Sequence, residues 1–169
     1  RTTSSAASDV YKRQPLAFII KSVAIALRVN SKFNRSLDLK SNEYLQRRYI
    51  NIGIAVDTQR GLVVPVVKDV DKKGLWELAE EVLRAAEKAR QGKLTVVDMQ
   101  GGCFTISSLG TLGGNYFTPI VNLPEVAILG VSKAAIKPLW SGNEFQPRLL
   151  LPLSLSYDHR IVNGADAGR

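Results

Sequence analysis

The chain has 169 residues, a length typical of one domain with a sizeable hydrophobic core. Its single cysteine excludes a disulfide framework and a cysteine-based metal cluster, and its single histidine argues against a histidine-rich metal site. The formal net charge of +8 permits an acidic partner such as a phosphorylated cofactor. Because the basic residues are scattered and form no stripe with interleaved aromatic residues, we expect no nucleic-acid partner.

The two ends of the chain differ from the rest. The first 14 residues are polar, lack hydrophobic periodicity and contain no apolar run of the kind that a secretory signal needs. We expect residues 1–14 to be a non-native scar or a disordered tail, and residues 15–169 to be the folded part. The chain stops at Arg169 without a closing element, so we interpret it as a fragment of a longer protein, truncated at both ends.

Two segments have the periodicity of amphipathic helices. The first begins at Pro15, a residue suited to the first turn of a helix, and ends near Asn30. Charged residues at positions 21 and 28 interrupt a stretch that is already too short to cross a bilayer, so we expect no membrane partner. The second helix is predicted between Gly74 and Gly92, with Gly92 as its C-terminal cap.

Apolar runs, several of them alternating, predict at least five strands, at residues 50–56, 62–67, 103–107, 126–131 and 149–156. Pro65 within the second strand indicates a sheet edge or a bulge. Glycines at positions 110, 113 and 114 predict a loop, and leucines at every second position from 149 to 155 share one face of the last strand. This order of elements predicts an α/β fold with one mixed β-sheet and helices packed on it.

Few side chains are candidates for chemistry. The sequence contains no glycine-rich nucleotide-binding loop, no His-Glu-x-x-His motif and no Gly-x-Ser-x-Gly motif. His159 directly follows the last strand, and imidazole is the commonest general base near neutral pH, although a lone histidine is often structural. Cys103 is expected to be a small core residue rather than a nucleophile. Ser107 is either a turn former or a hydroxyl donor to an oxyanion.

Six stretches of the sequence, taken together, resemble the motifs of a known protein family. They are Tyr49-Ile-Asn-Ile-Gly-Ile-Ala-Val-Asp57, Gly61-Leu-Val-Val-Pro-Val66, Gly101-Gly-Cys-Phe-Thr-Ile-Ser-Ser-Leu-Gly110, Pro119-Ile-Val-Asn122, Pro124-Glu-Val-Ala-Ile-Leu-Gly-Val-Ser-Lys133 and Leu155-Ser-Tyr-Asp-His-Arg160. In their order and spacing they resemble the catalytic domain of the dihydrolipoyl acyltransferases, the core component of 2-oxoacid dehydrogenase complexes. Residues 15–169 would then be a partial acyltransferase catalytic domain.

The resemblance implies an activity and a set of site residues. An acyl group is transferred from a lipoyl thioester to coenzyme A, and the lipoyl group is carried on a domain outside this chain. His159 takes the place of the catalytic base, and Ser107 takes the place of the hydroxyl that hydrogen-bonds the tetrahedral oxyanion. The family motif His-x-x-x-Asp-Gly has Asn163 at its acidic position, where the side chain orients the site by hydrogen bonds. No residue is assigned to coenzyme A, and no metal is needed.

The resemblance also implies an architecture. The fold should be similar to chloramphenicol acetyltransferase, built as homotrimers in which the histidine comes from one subunit and the serine from its neighbour. These trimers should assemble into a larger core that works with a 2-oxoacid decarboxylase and a dihydrolipoyl dehydrogenase component. The family's catalytic domain is longer at both ends, so whether this fragment folds and works alone is left open.

The sequence also indicates which acyl group is transferred, with two alternatives. Thr105-Ile106-Ser107 resembles the acetyl-transferring, pyruvate-type members of the family. The nearest alternative is the same chemistry with a succinyl or branched-chain acyl group. A second alternative is a non-catalytic core or scaffold protein of the same fold, which Asn163 alone favours. We expect a bacterial cytoplasmic protein, or a mitochondrial matrix protein if the source is eukaryotic.

Overall fold

A computed structural model of the chain describes residues 5–38, 40–41, 43–110 and 114–169, with side chains from Pro15 onward. The helices are α1 (Ser5–Val29), α2 (Leu75–Arg90) and α3 (Gly164–Gly168). The strands are β1 (Arg35–Asp38), β2 (Glu43–Gln46), β3 (Ile52–Ile54), β4 (Val56–Thr58), β5 (Gly61–Val63), β6 (Val66–Val67), β7 (Phe104–Ser108), β8 (Ala127–Val131), β9 (Ala135–Trp140), β10 (Phe145–Leu150) and β11 (Leu153–Tyr157).

Five of these strands form a central sheet in the order β11-β8-β7-β3-β6. The three inner strands run parallel to one another, and the two edge strands run antiparallel to their neighbours. The predicted mixed sheet with packed helices is therefore confirmed. The other described strands form three two-stranded sheets, β1-β2, β4-β5 and β9-β10.

The two faces of the central sheet differ, because successive side chains of a strand point to opposite sides. The helix-covered face packs against α1 and carries large apolar side chains, among them Ile52, Ile54, Phe104, Ile106, Leu129 and Leu155. The opposite face, which we call the hydroxyl face, carries mostly small or hydroxyl-bearing residues, among them Gly53, Thr105, Ser107, Gly130, Ser154 and Ser156. The first face supplies the core, and the second carries one of the candidate catalytic residues.

The first helix differs from its prediction at its N-terminal end. It begins at Ser5 and runs through Pro15, whereas we expected it to begin at Pro15. The residues that precede Pro15 include no glycine or proline, so nothing in them stops a helix. Residues 1–4 lie outside the described part of the chain, and a non-native origin of residues 1–14 stays a prediction.

Two of the predicted strands are each interrupted at a proline, so that each forms two shorter strands. The predicted strand 62–67 is interrupted at Pro65, and its second half, β6, is an edge strand of the central sheet, which confirms the edge prediction. The predicted strand 149–156 is interrupted at Leu151 and Pro152, so its first residues belong to β10 and the rest to β11. The predicted strand 50–56 is divided as well, between β3 and β4.

The sequence predicted helix α2 correctly but missed three strands. Helix α2 has Gly74 as its N-cap, and Gly92, just beyond its end, has the positive φ of 67° that glycine adopts readily. Strands β1, β2 and β9 had not been predicted. Residues 111–113 of the predicted glycine loop lie outside the described part of the chain. Among the described helices, no segment combines the length and the apolar character that a bilayer span requires.

Candidate active site

Ser107 lies near the C-terminal end of β7, in the interior of the central sheet. It is half-buried, and its side chain projects from the hydroxyl face in one row with Gly130 of β8 and Ser154 of β11. Within the described residues, its hydroxyl takes part in no side-chain hydrogen bond. The strand therefore holds Ser107 at a fixed place while its hydroxyl is free to donate to a ligand.

An aromatic ring lies beside Ser107 because Gly130 has no side chain. A Cβ placed on Gly130 would meet the ring of Phe117 at 2.8 Å, so only glycine permits this close approach. Since Gly130 and Ser107 are paired across neighbouring strands, the Phe117 ring lies on the hydroxyl face next to the Ser107 position. The space beside the serine hydroxyl is therefore narrow and apolar on this side.

His159 lies in a turn immediately beyond β11 and is exposed. The turn is fixed by the preceding residue: the Asp158 amide donates to the Val126 carbonyl at 2.8 Å, and the Asp158 carbonyl accepts from the amides of Ile161 and Val162 at 3.0 Å each. Because Val162 is fully buried, the turn is anchored in the core on its far side. The His159 ring packs on the ring of Tyr157, with 5.7 Å between their centroids.

The two residues that flank His159 in the sequence, Asp158 and Arg160, form an ion pair. The Arg160 guanidinium donates to both oxygens of the Asp158 carboxylate at distances from 2.6 to 3.2 Å, and the Arg160 amide donates to Asp158 Oδ1 at 3.0 Å. The hydrogen bond from the Arg160 side chain lowers the pKa of Asp158 below its ordinary value. This pair stabilises the turn from which His159 projects.

Asn163 has a local structural role in the chain. It is the N-cap of α3, and its Oδ1 accepts a hydrogen bond from the Asp166 amide at 2.8 Å. Asparagine and aspartate are about equally good N-cap residues, so this position accommodates either side chain.

Ser107 and His159 lie far apart within one chain. Through β8, the sheet register aligns Ser107 with Ser154, whereas β11 continues to Tyr157 and then to His159. Tyr157 lies three residues beyond Ser154 along β11, and β11 lies two strands away from β7. With the usual rise per residue and spacing between strands, the Cα atoms of Ser107 and Tyr157 are about 14 Å apart. A base and an oxyanion donor must each approach the same reacting centre to within about 3 Å. One chain therefore does not bring the two groups to one substrate.

A buried carboxyl group under the hydroxyl face escaped the sequence analysis. Glu125 is 4% exposed, and one of its oxygens accepts a hydrogen bond from Thr105 Oγ1 at 2.6 Å. A Cβ on Gly102 would lie 2.5 Å from the other oxygen, so the chain makes room for this carboxyl group. Burial raises the pKa of Glu125 to about 7. A lone carboxylate between Pro124 and an apolar run is the sequence signal that could have revealed it.

Cys103 is a core residue, as predicted. It is fully buried, and its Sγ donates to the Tyr49 carbonyl at 3.3 Å. Burial raises the pKa of its thiol, which keeps the sulfur protonated and unreactive.

A well-formed groove among the described residues lies away from this site. It has a volume of about 450 Å³ and lies on the helix-covered face, between α1 and the leucines of β11 and the segment before it. Ser107 points to the other face, so the groove cannot present a substrate to its hydroxyl. Among the described residues, no cluster of three or more histidine, cysteine, aspartate or glutamate side chains is arranged to hold a metal ion.

Comparison with known proteins gives matches along the whole chain. The model of the family described as 2-oxoacid dehydrogenases acyltransferase (catalytic domain) matches residues 1–169. The chain is 58% identical over 158 residues to the dihydrolipoyllysine-residue acetyltransferase component of the pyruvate dehydrogenase complex of Haemophilus influenzae. It is 44% identical over 162 residues to the component of the same name in Bacillus subtilis. These matches cover 94% and 96% of this chain but only 28% and 37% of the relatives.

Solved structures have the same fold. An Azotobacter vinelandii dihydrolipoamide acetyltransferase, studied for the roles of a serine, a histidine and an asparagine in its catalytic mechanism, superposes with a TM-score of 0.88 at 56% identity. The match covers 90% of this chain and 63% of that chain. The cubic core of the pyruvate dehydrogenase multienzyme complex matches with the same values. A chloramphenicol acetyltransferase, 17% identical, superposes with a TM-score of 0.56 over 89% of this chain and 72% of that chain, which confirms the predicted fold.

Proposed function

Because the chain belongs to the family of 2-oxoacid dehydrogenase acyltransferase catalytic domains, we propose that it transfers an acetyl group from a lipoyl thioester to coenzyme A. The proposal rests on the sequence spacing between a serine, a histidine and an asparagine. The serine, histidine and asparagine studied in the Azotobacter vinelandii enzyme are separated by 52 and by 4 residues. Ser107, His159 and Asn163 have the same two separations in a chain that is 56% identical.

The proposed chemistry needs one base and one hydrogen-bond donor. A free thiol is mostly protonated at neutral pH, so His159 takes the thiol proton of coenzyme A as its sulfur attacks the thioester carbon. Ser107 donates a hydrogen bond to the carbonyl oxygen, which becomes negative in the tetrahedral intermediate. When the carbon–sulfur bond to the lipoyl group breaks, His159 returns the proton to the departing sulfur. Asn163 acts at a distance, by capping the helix that follows the His159 turn.

The proposed active site is shared between two subunits. Ser107 and His159 stand at opposite ends of the central sheet, and Tyr157, on which the His159 ring packs, belongs to the helix-covered face rather than the hydroxyl face. A neighbouring copy that brings its own His159 to Ser107 would complete the site without any rearrangement of the sheet. The homotrimer implied by the sequence resemblance provides such a neighbour.

The structure favours a small acyl group over the alternatives. The Phe117 ring fills the place of a side chain at Gly130 and narrows the space beside Ser107. A succinyl or branched-chain acyl group needs more room there than an acetyl group. The names of the relatives, all acetyltransferase components of pyruvate dehydrogenase complexes, agree with this choice.

The proposed partners follow from the same relatives. One similar structure is the cubic core of a pyruvate dehydrogenase multienzyme complex, so we propose that trimers of this protein assemble into such a core. There it would receive acetyl groups made by a 2-oxoacid decarboxylase, and a dihydrolipoyl dehydrogenase would reoxidise the lipoyl group, which is carried on another domain. The relatives named above are bacterial, which favours the bacterial cytoplasm over the mitochondrial matrix.

The test is acetyl transfer from acetyl-coenzyme A to dihydrolipoamide, measured on a length-completed protein. By this we mean a protein in which the chain is extended to the full catalytic domain of its relatives. We expect transfer that is faster with acetyl-coenzyme A than with its succinyl or isobutyryl counterpart. A folded and assembled protein with no transfer of any acyl group would instead be the scaffold protein of the second alternative.

A further inference from the structure

The stretch that carries Phe117 lies on the hydroxyl face without being a strand of the sheet. We call residues 114–124 the Phe117 segment, and none of them belongs to a helix or a strand. Between described residues, its one backbone hydrogen bond runs from the Glu125 amide to the Asn122 carbonyl at 2.9 Å. The position of the segment therefore depends on side-chain contacts, of which the Phe117 ring on Gly130 is one.

A second side-chain anchor lies at the other end of the segment, at the buried carboxyl group of Glu125. Burial raises the pKa of this group, and hydrogen bonds from Thr105 and Asn122 oppose the rise. Thr105 and Ser107 are two residues apart on β7, so both lie on the hydroxyl face. Glu125 therefore connects the Phe117 segment to the strand that carries Ser107.

Two glycines make room for the carboxyl group and for its hydrogen-bond donor. A Cβ on Gly102 would lie 2.5 Å from one oxygen of Glu125. A Cβ on Gly53 would lie 2.8 Å from Thr105 Oγ1 and 3.7 Å from the same Glu125 oxygen. The interior of the protein is therefore shaped around this pair of side chains.

The carboxyl group is not explained by stability. Burial disfavours the charged form of an ionisable group, so above its pKa of about 7 Glu125 stabilises the folded chain less than a neutral side chain would. A buried ionisable group close to an active site is typical of residues that serve function at a cost in stability. The proposed mechanism contains no step for a carboxyl group, so Glu125 acts on the site through other residues.

We infer that Glu125 is a positioning residue for acyl transfer: its carboxyl group holds the Phe117 segment against β7 and so keeps the Phe117 ring beside Ser107. The inference rests on the proposed function and on the proposed preference for a small acyl group. Glu125 takes no part in the bond changes, because it contacts Thr105 rather than Ser107. Without this anchor the ring leaves its place, and the space beside Ser107 accepts larger acyl groups.

Ionisation of Glu125 should weaken the anchor. The hydrogen bonds do not outweigh burial, so the charged carboxylate favours any arrangement in which water reaches it, and Asn122 of the segment is exposed. Among the described residues, the other titratable or charged groups that face Glu125 are Arg47 and Cys103. Neither changes its charge near pH 7, because arginine stays protonated and burial raises the pKa of the Cys103 thiol.

The test compares the rates of isobutyryl and acetyl transfer in variants of the length-completed protein at about pH 5.5, where Glu125 is neutral. Glu125→Leu removes the acceptor but keeps a side chain of similar size, whereas Glu125→Gln keeps an acceptor for Thr105. Val70→Ala changes a fully buried residue of the turn after β6 and is the control for a loss of stability alone.

We expect Glu125→Leu to raise the ratio of isobutyryl to acetyl transfer by about tenfold or more, as Phe117→Ala should, because both changes widen the same space. Adding Phe117→Ala to Glu125→Leu should change the ratio no further, since two changes that act through one group are not additive. Glu125→Gln and Val70→Ala should keep the wild-type ratio. An unchanged ratio in Glu125→Leu, or two effects that multiply in the double variant, would overturn the inference.

A second comparison does not depend on whether Glu125→Leu folds. The same ratio is measured for the wild-type protein and Glu125→Gln at about pH 5.5 and about pH 8.5. His159 acts on the thiol proton in the same way with both acyl donors, so its own titration cancels in the ratio. The ratio should rise with pH in the wild-type protein and stay constant in Glu125→Gln. A constant wild-type ratio, or an equal rise in both proteins, would contradict the inference.

A third measurement needs no substrate. Chymotrypsin cleaves after large apolar residues, and cleavage after Phe117 requires its half-buried ring to leave the sheet. Glu125→Leu should be cleaved there about tenfold faster than the wild-type protein and Val70→Ala, the effect expected from one lost buried hydrogen bond. Equal cleavage rates would overturn the inference whether or not the protein transfers acyl groups, so failure of the positioning role and failure of the proposed function are distinguishable.

Discussion

The two ends of the central sheet carry the two proposed catalytic groups in unlike settings. At one end, Ser107 is half-buried within a hydrogen-bonded strand and lies beside the Phe117 ring. At the other end, His159 is exposed in a turn that Asp158 holds in place. This difference supports the proposal that each end is one half of an active site, in which the first end supplies a hydrogen-bond donor held by a strand and the second supplies a base.

Unlike ends also restrict the symmetry of the assembly. A contact between one end of a chain and the other end of its neighbour is head-to-tail, and such contacts form a ring when the rotation between neighbours closes. A ring of three copies contains three identical contacts and hence three complete sites.

The largest expected effect comes from removing either catalytic group. In the length-completed protein, His159→Ala and Ser107→Ala should each slow acetyl transfer by about 10²-fold or more, because a positioned base and an oxyanion donor are each worth at least that much. Thermal stability should change little for His159→Ala, whose side chain is exposed. Rates and melting temperatures are measured together.

A matched control sharpens the test of the serine. Ser154 lies in the same row of the hydroxyl face, two strands away from Ser107. Ser154→Ala should retain most of the wild-type rate. If either catalytic variant kept more than half of the wild-type rate, or if Ser154→Ala were as slow as Ser107→Ala, the assignment of these roles would be wrong.

The Ser107 end can also be probed through the Phe117 ring. Phe117→Ala should widen the space beside the serine hydroxyl and raise the rate with isobutyryl-coenzyme A, relative to acetyl-coenzyme A, by about tenfold or more, since a hydrophobic pocket discriminates by 10- to 200-fold per methylene. The exposed Phe18 on α1 offers a control, Phe18→Ala, that should leave the ratio unchanged. A ratio that is the same in both variants would mean that Phe117 does not limit the acyl group.

The buried Glu125 gives the hydroxyl face a pH-dependent stability. Its pKa rises from 4.5 to about 7 on burial, so the folded chain holds this proton more tightly than the unfolded chain does. The stabilisation is complete below pH 4.5 and is lost as the pH rises through about 7. Glu125→Gln stays neutral, so above pH 7 it should be more stable than the wild-type protein by about 1–3 kcal/mol.

Urea unfolding at several pH values measures this difference. Glu80→Gln, which changes an exposed glutamate on α2, is the control and should reproduce the wild-type dependence on pH. A Glu125→Gln protein whose stability falls between pH 4.5 and 7 as steeply as that of the wild type would show that Glu125 is not the group responsible.

The smallest expected effect is at Asn163. Aspartate can cap α3 as well as asparagine does, so Asn163→Asp should change the acetyl-transfer rate by less than about tenfold, and Asn163→Ala should cost about 1 kcal/mol of stability through the lost cap. Steady-state rates and thermal unfolding test the two variants. Complete inactivity of a folded Asn163→Asp protein would mean that the amide itself has a role at the His159 end.

The parts of the structure that the sequence predicted are those with a strong local pattern. Helical periodicity located α2, and alternation or apolar runs located β7 and β8, because each of these elements buries one regular face. Pro65 marked an edge for a physical reason, since proline lacks the amide that an inner strand needs. The order and spacing of the six motifs then led to Ser107 and His159, which no local pattern singles out.

The features that were missed depend on contacts between distant segments. The pKa of Glu125 is raised because the folded chain buries its carboxyl group, against which Thr105 and Gly102 lie although they are some 20 residues away in the chain. The sequence prediction included only the last two residues of β10 and none of β9, and the large apolar residues of this hairpin are exposed rather than part of the core. The distance between Ser107 and His159 follows from the sheet register, which a single sequence does not contain.

The shared active site is tested most directly by mixing two inactive proteins. Length-completed His159→Ala and Ser107→Ala proteins are unfolded together in equal amounts and refolded, with each refolded alone as a control. A contact with an intact His159 on one side and an intact Ser107 on the other should form in about one case in four, because each side is correct half the time. We expect acetyl transfer to recover to roughly a quarter of the wild-type rate, far above either variant. If mass measurements prove that the two proteins have mixed and the rate stays at the average of the two variants, both residues act within one chain and the shared site is contradicted.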